Sequence, residues 1–142
     1  MPEQFFIKNQ KQTEKLARIL AKEILKSKNT KGHALIFGLV GNLGAGKTVF
    51  VKSFAKRLGI RGRLTSPTFV LMKKYRNLYH IDCYRIKNTK DILELDFKEI
   101  ISNPLYIIMI EWAERIRKIL PKDTVWIKFT ITGKTSRKIK LL

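Results

Sequence analysis

In "TEKLARILAKEILKSK" the apolar residues Leu16, Ile19, Leu20, Ile24 and Leu25 recur at helical spacing behind Thr13, which reads as an N-cap. The pattern predicts an amphipathic helix after a short strand in "QFFIK". "NTKGH" breaks it. The next run, "ALIFGLV" from Ala34 to Val40, is apolar almost throughout, as in a strand buried on both faces of a parallel-type sheet. "KTVFVKSFAKRLGI" returns to helical spacing at Phe50, Val51, Phe54 and Leu58 and stops at Gly59.

Two β-prone runs in "TFVLMKKYRNLYHIDCYRI", separated by "KYRN", predict a hairpin. "DILELDFKEII" reads as one short helix or two, and "PLYIIMIEW" as a second buried strand from Leu105 to Ile110. "AERIRKIL" reads as a brief helix stopped by Pro121. "TVWIKFTI" and "SRKIKLL" alternate around "TGKT", as a terminal hairpin does. The order β-α-β-loop-α-β-β-α-β-α-β-β predicts an α/β protein, a mixed parallel/antiparallel sheet with helices on its faces. The length of 142 residues suits a single domain, 1–142.

Composition removes several classes. No apolar run is long enough for a membrane helix, and "MPEQFFIKNQ" lacks an export pattern, so a cytoplasmic protein without a membrane partner is expected. The single cysteine, Cys83, excludes an internal disulfide, and with His33 and His80 it makes no zinc-ligand spacing. The formal charge of +19 suits a polyanion such as RNA, but lysines outnumber arginines more than two to one and are scattered, as compositional bias also produces. Charge alone does not choose between these.

The strongest chemical signal is "GNLGAGKT", Gly41, Asn42, Leu43, Gly44, Ala45, Gly46, Lys47 and Thr48, which completes G-x-x-x-x-G-K-[ST] between a buried strand and a helix. The glycines let backbone N–H groups surround phosphate oxygens at a helix N-terminus. Lys47 would reach the β- and γ-phosphates, and the Thr48 hydroxyl would sit on Mg²⁺. Such a site needs a carboxylate at the end of a neighbouring strand. Glu111 after "YIIMI" and Asp82 after "LYHI" qualify, while Arg115 and Arg85 are the simplest salt-bridge partners if these acids are only structural. GTPase and ABC-type companion motifs are absent from the sequence, and "GIRGR" is too short for an arginine-rich kinase lid.

"GNLGAGKTVF", "TSPTF", "HIDCYRI" and "IEWAERI", in this order and spacing, resemble the TsaE (YjeE) family, the small bacterial P-loop ATPases of tRNA threonylcarbamoyladenosine biosynthesis. The resemblance runs from Thr13 to Arg137 and departs from the family pattern at Asn42, usually Asp, and Val49, often Thr. It implies an α/β fold of P-loop NTPase type, a three-layer sandwich with a mixed parallel/antiparallel sheet, and ATP with Mg²⁺ and weak hydrolysis dependent on a TsaB/TsaD-type transferase complex, with tRNA met through that complex or by the chain's own basic surface. It implies Lys47, Asp82 and Glu111 as catalytic residues, with Thr48 and Glu111 on the metal. It also puts Thr13 beside the base, Trp112 and Arg137 near the nucleotide, and Ser66 to Phe69, with Thr68, in a γ-phosphate-responsive loop. His80, Tyr84 and Arg85 read as scaffold or partner-facing. A small-molecule kinase and a basic RNA-binding protein with a regulatory nucleotide site are the alternatives.

Overall fold

The computed structural model describes residues 3–62, 64 and 71–142, so the loop expected at Ser66 to Phe69 lies outside the described residues. The chain is an α/β protein whose strands pair in both parallel and antiparallel fashion. By internal contacts it divides into two compact units interleaved along the sequence. One comprises Met1–Lys28, Val40–Thr65 and Trp126–Leu142, the other Asn29–Leu39 and Ser66–Val125. Among the described residues, no helix is long and apolar enough to cross a membrane.

In the first unit, β1 (Glu3–Ile7) pairs antiparallel with β7 (Arg137–Leu141), which pairs antiparallel with β6 (Val125–Ile131). Helix α1 (Gln10–Lys26) packs against α2 (Lys47–Arg57). The helix α1 starts one turn earlier than its apolar spacing suggests, with Asn9 as N-cap accepting from Gln12 N–H at 3.1 Å. Gln12 Oε1 in turn accepts from Lys8 N–H at 2.8 Å. The first turn is wholly polar, so hydrophobic periodicity has no signal there, and Thr13 is a buried helical residue rather than the cap. The most buried stripe of α1 is Thr13, Ala17 and Ala21, small side chains at i, i+4 and i+8 that admit close helix packing, while Ile19 and Leu25 are exposed. From α2, the buried Phe50 meets Phe129 of β6 edge to face at 5.5 Å. Truncating Phe50 to alanine would cost about 3–5 kcal/mol. Past the end of α2, Gly59 takes φ 88°, as its place in the sequence suggests.

In the second unit, β2 (Leu35–Val40) and β4 (Leu78–Asp82) both run parallel to β5 (Ile107–Glu111), and β3 (Met72–Tyr75) is antiparallel to β4. Strand β5 is buried at every position, as its continuous apolar run requires. It begins at Ile107 rather than Leu105, because Tyr106 N–H closes a turn onto Asn103 O and leaves Leu105 exposed. The β3–β4 turn is tighter than "KYRN", with Tyr75 and Leu78 paired around Arg76 and Asn77. Two short helices, α3 (Lys90–Leu93) and α4 (Phe97–Ile101), and a 3₁₀ segment (Ala113–Ile119) complete the unit.

Candidate functional site

The glycine loop lies in the first unit, immediately after β2 and before α2. A Cβ on Gly41 would stand 2.6 Å from the Phe129 carbonyl oxygen, so only glycine fits where the loop passes β6. Gly46 is the N-cap of α2 at φ 105° and has no side chain to bond the first-turn N–H groups, which leaves that end of the helix suited to an external anion. Lys47 is only 5% exposed, and its Nζ donates to the Gly41 carbonyl and, at 3.3 Å, to the Asn42 carbonyl. The ammonium is thus desolvated and held over the loop by weak, exchangeable acceptors. Thr48, the next helical residue, is half-buried, Ala45 is buried, and Asn42, Leu43 and Gly44 are exposed.

Two residues distant in sequence support this loop. Thr13 Cγ2 lies 3.7 Å from the place a Gly46 Cβ would take, so the threonine packs directly on the helix entry. Arg137 Nη2 donates to Gly44 O at 3.0 Å, while Nη1 donates to Ser136 O at 2.7 Å and Gly133 O at 3.1 Å. One guanidinium therefore ties the β6–β7 turn to the loop. In the first unit, Thr13, the loop from Gly41 to Lys47, and Arg137 come together as a set.

The acids belong to the second unit. Glu111 and Asp82 end their strands in one register row with Leu39, the penultimate residue of β2, Glu111 facing both of the others across parallel pairs. Asp82 is half-buried, and its Oδ1 accepts from Tyr84 N–H at 2.9 Å, closing an Asx turn that directs the chain off the strand end. Glu111 is 3% exposed, and its Oε2 accepts from His80 Nε2 at 2.6 Å. The carboxylate can only accept, so His80 carries its proton on Nε2 in this bond. His80 Nδ1 is buried and lacks a hydrogen-bond partner. The side chain that bonds Glu111 Oε2 here is thus an imidazole from the adjacent strand. Arg115, the partner considered from sequence, instead lies 5.5 Å from the ring centroids of both Tyr84 and Trp112, which are 5.0 Å apart. Trp112 takes φ 58° as the chain leaves β5, which turns its ring toward Tyr84.

Between these acids lies Cys83, fully buried, whose N–H donates to Glu111 O at 3.0 Å. Burial, reinforced by the charges of Asp82 and Glu114, pushes its thiol up to about 12. Cys83 is therefore a packing residue and not a nucleophile. Among the described residues, no cluster of three His, Cys, Asp or Glu side chains makes a protein-only metal cage.

Sequence reasoning missed Phe129, whose backbone makes Gly41 obligatory, and read His80 as scaffold or partner-facing without naming Glu111 as its partner. No local signal marks Phe129 as the loop's neighbour. For His80 the signal was present, since a histidine two residues before Asp82 in a buried strand shares a face with whatever the next strand brings.

The family model described as threonylcarbamoyl adenosine biosynthesis protein TsaE matches residues 7–139. Proteins named tRNA threonylcarbamoyladenosine biosynthesis protein TsaE are similar to this chain. The one from Treponema pallidum is 39% identical over 104 residues, covering 71% of this chain and 76% of that protein. The one from Rickettsia felis is 33% identical over 136 residues, covering 92% and 74%. Among solved structures, the crystal structure of Bacillus subtilis YdiB superposes with a TM-score of 0.76 at 26% identity, over 99% of this chain and 84% of that one. With nearly its whole length matched, its glycine loop intact and its fold shared, this chain belongs to the TsaE family.

Proposed function

We propose that the whole chain, residues 1–142, acts as a single P-loop ATPase domain that supports threonylcarbamoyl transfer to tRNA in the cytoplasm, alongside transferase subunits of TsaB/TsaD type. The observation that carries this reading is the buried Lys47 ammonium resting on the Gly41 and Asn42 carbonyls beside a helix N-terminus that no side chain caps. Those groups fit a polyphosphate. The helix end offers N–H donors and partial positive charge, and Lys47 exchanges two carbonyl acceptors for phosphate oxygens, a stronger charge-assisted bond.

In this reading ATP supplies the phosphoanhydride and Mg²⁺ supplies charge neutralisation. Thr48 and Glu111 would hold the metal, directly or through water. Asp82 would orient the attacking water, and Lys47 would stabilise charge building on the β- and γ-phosphates. Leu39, in one row with Glu111 and Asp82, precedes Gly41 by only two residues in the chain. Thr13 and Arg137 fix the shape of the loop, and Trp112 is a candidate contact for the nucleotide. The family's name, shared with the relatives matched here, is the support for the tRNA modification itself.

The test is threonylcarbamoyladenosine formation on unmodified tRNA by purified transferase subunits, with threonylcarbamoyl-adenylate and ATP. It is run with this protein, without it, and with Lys47→Ala. Multiple-turnover product only with the intact protein supports the proposal. Product formation indifferent to the protein, with competent partners, would refute it, and phosphate transfer to a small acceptor would point to a kinase instead.

A further inference from the structure

The antiparallel strands β1, β7 and β6 of the first unit, one side of the seven-stranded sheet, have two unlike faces. Phe5, Ile139 and Phe129 form one in-register row on the inner face. On the opposite face the rows are Gln4, Lys140 and Lys128, then Phe6, Lys138 and Thr130. Alternation places Trp126 on this outer face as well, beyond Lys128 on the same strand. None of these outer residues is acidic. Lys128 and Lys140 stand directly opposite one another, a like-charge pair that weakens a sheet unless something else uses it. Phe6 is 76% exposed, the most solvent-exposed large apolar side chain among the described residues.

An exposed phenylalanine and a half-buried tryptophan thus flank three lysines on one antiparallel face. By strand spacing, Phe6 and Trp126 are separated by about 10 Å across the sheet and about 13 Å along it, with the lysines around and between them. Compositional bias accounts for many lysines and for the lack of acids on this face, but it does not set two lysines directly opposite one another and leave an aromatic ring bare beside them. Flat sheets with exposed aromatics for base stacking and basic side chains for phosphates are a general solution for unpaired nucleic acid. A duplex, with its bases stacked inside, offers nothing to Phe6.

We propose that this outer face, carried by Phe6, Trp126, Lys128, Lys138 and Lys140, is a binding surface for single-stranded or looped RNA. Recognition is by stacking on the rings and phosphate contact with the lysines. It requires neither ATP nor a partner protein, so it stands or falls separately from the ATPase reading.

The experiment is fluorescence anisotropy of the full chain, without nucleotide or transferase subunits, against a labelled RNA stem-loop and against a blunt RNA duplex of equal length, over a series of salt concentrations. The expected result is tighter binding of the stem-loop. The triple change Lys128→Gln, Lys138→Gln and Lys140→Gln lowers that affinity about tenfold or more, and reduces the salt slope by about 2, at ~0.7 per lost single-strand phosphate contact. Phe6→Ala lowers stem-loop affinity about tenfold and leaves duplex binding unchanged. The control changes three exposed lysines of α1, Lys11, Lys15 and Lys22, to glutamine. If the control triple weakens binding as much as the sheet triple, or if the duplex binds as tightly as the stem-loop, the proposal is wrong. Unfolding curves of the variants establish that each remains folded.

Discussion

His80 Nε2 donates to Glu111 Oε2 at 2.6 Å, with the imidazole fully buried and the carboxylate side chain only 4% exposed. The register of β4 on β5 sets His80 opposite Met109, so Glu111 is its diagonal neighbour on the same face. Removing the donor takes a short hydrogen bond from a buried carboxylate. His80→Ala should therefore lower stability by about 3 kcal/mol in urea unfolding, and His80→Gln, which keeps an N–H donor, by clearly less. Equal losses in the two variants would show that packing, not the hydrogen bond, is what His80 supplies.

Gly41 is the loop position where even a methyl group has no room, because the Phe129 carbonyl oxygen lies 2.6 Å from the place it would occupy. The backbone must move to admit it. Gly41→Ala is expected to lower nucleotide affinity by about tenfold or more while the circular dichroism spectrum is retained. Titration with a fluorescent ATP analogue measures this, and unaltered affinity would mean that the loop tolerates displacement from β6.

Arg137 joins the β6–β7 turn to Gly44 through three carbonyl acceptors. Arg137→Ala should cost only about 1–2 kcal/mol of stability, since these bonds are partly exposed, yet raise the nucleotide dissociation constant several-fold by loosening the loop. Arg137→Lys cannot reproduce the fork and should behave like the alanine variant in binding. Full binding by the lysine variant would reduce the contact to simple charge.

Turnover separates the roles given to the remaining groups. Lys47→Ala and Thr48→Ala should abolish ATP use, and Asp82→Ala and Glu111→Ala should lower it by about hundredfold or more with the transferase subunits present. Phosphate release is the readout. An unchanged rate in any one variant removes that residue from the mechanism.

Cys83 gives a pH signature. Its folded thiol is raised to about 12 from an ordinary value near 9. A raised pKa contributes stability that is whole below pH 9 and is lost as pH climbs through the folded value. The stability difference between the native chain and Cys83→Ala should therefore be flat up to pH 9 and shift against the native chain from there toward pH 12. Iodoacetamide at pH 8 should modify Cys83 only after unfolding, and rapid labelling of the folded protein would contradict its burial.

Features encoded by short-range chemistry are readable from the chain alone. The glycine spacing of the loop, the apolar runs of β2 and β5 and the alternation of the terminal hairpin each depend on residues within one element, so they were legible without coordinates. The start of α1 was not, because its first turn is polar and its cap, Asn9, lies outside the periodic stretch. Pairings between distant segments come from folding in three dimensions. His80 meets Glu111 across 31 residues, Arg137 reaches Gly44 across 93, and Phe129 confines Gly41. The lysine face belongs to the same class. Each strand's alternation is written in "WIKFTI" and "SRKIKLL", but only antiparallel pairing sets Lys128 against Lys140 and Phe6 beside Lys138. Side-chain parity is a property of one strand, whereas a surface is a property of strands in register, and register is chosen by the whole core.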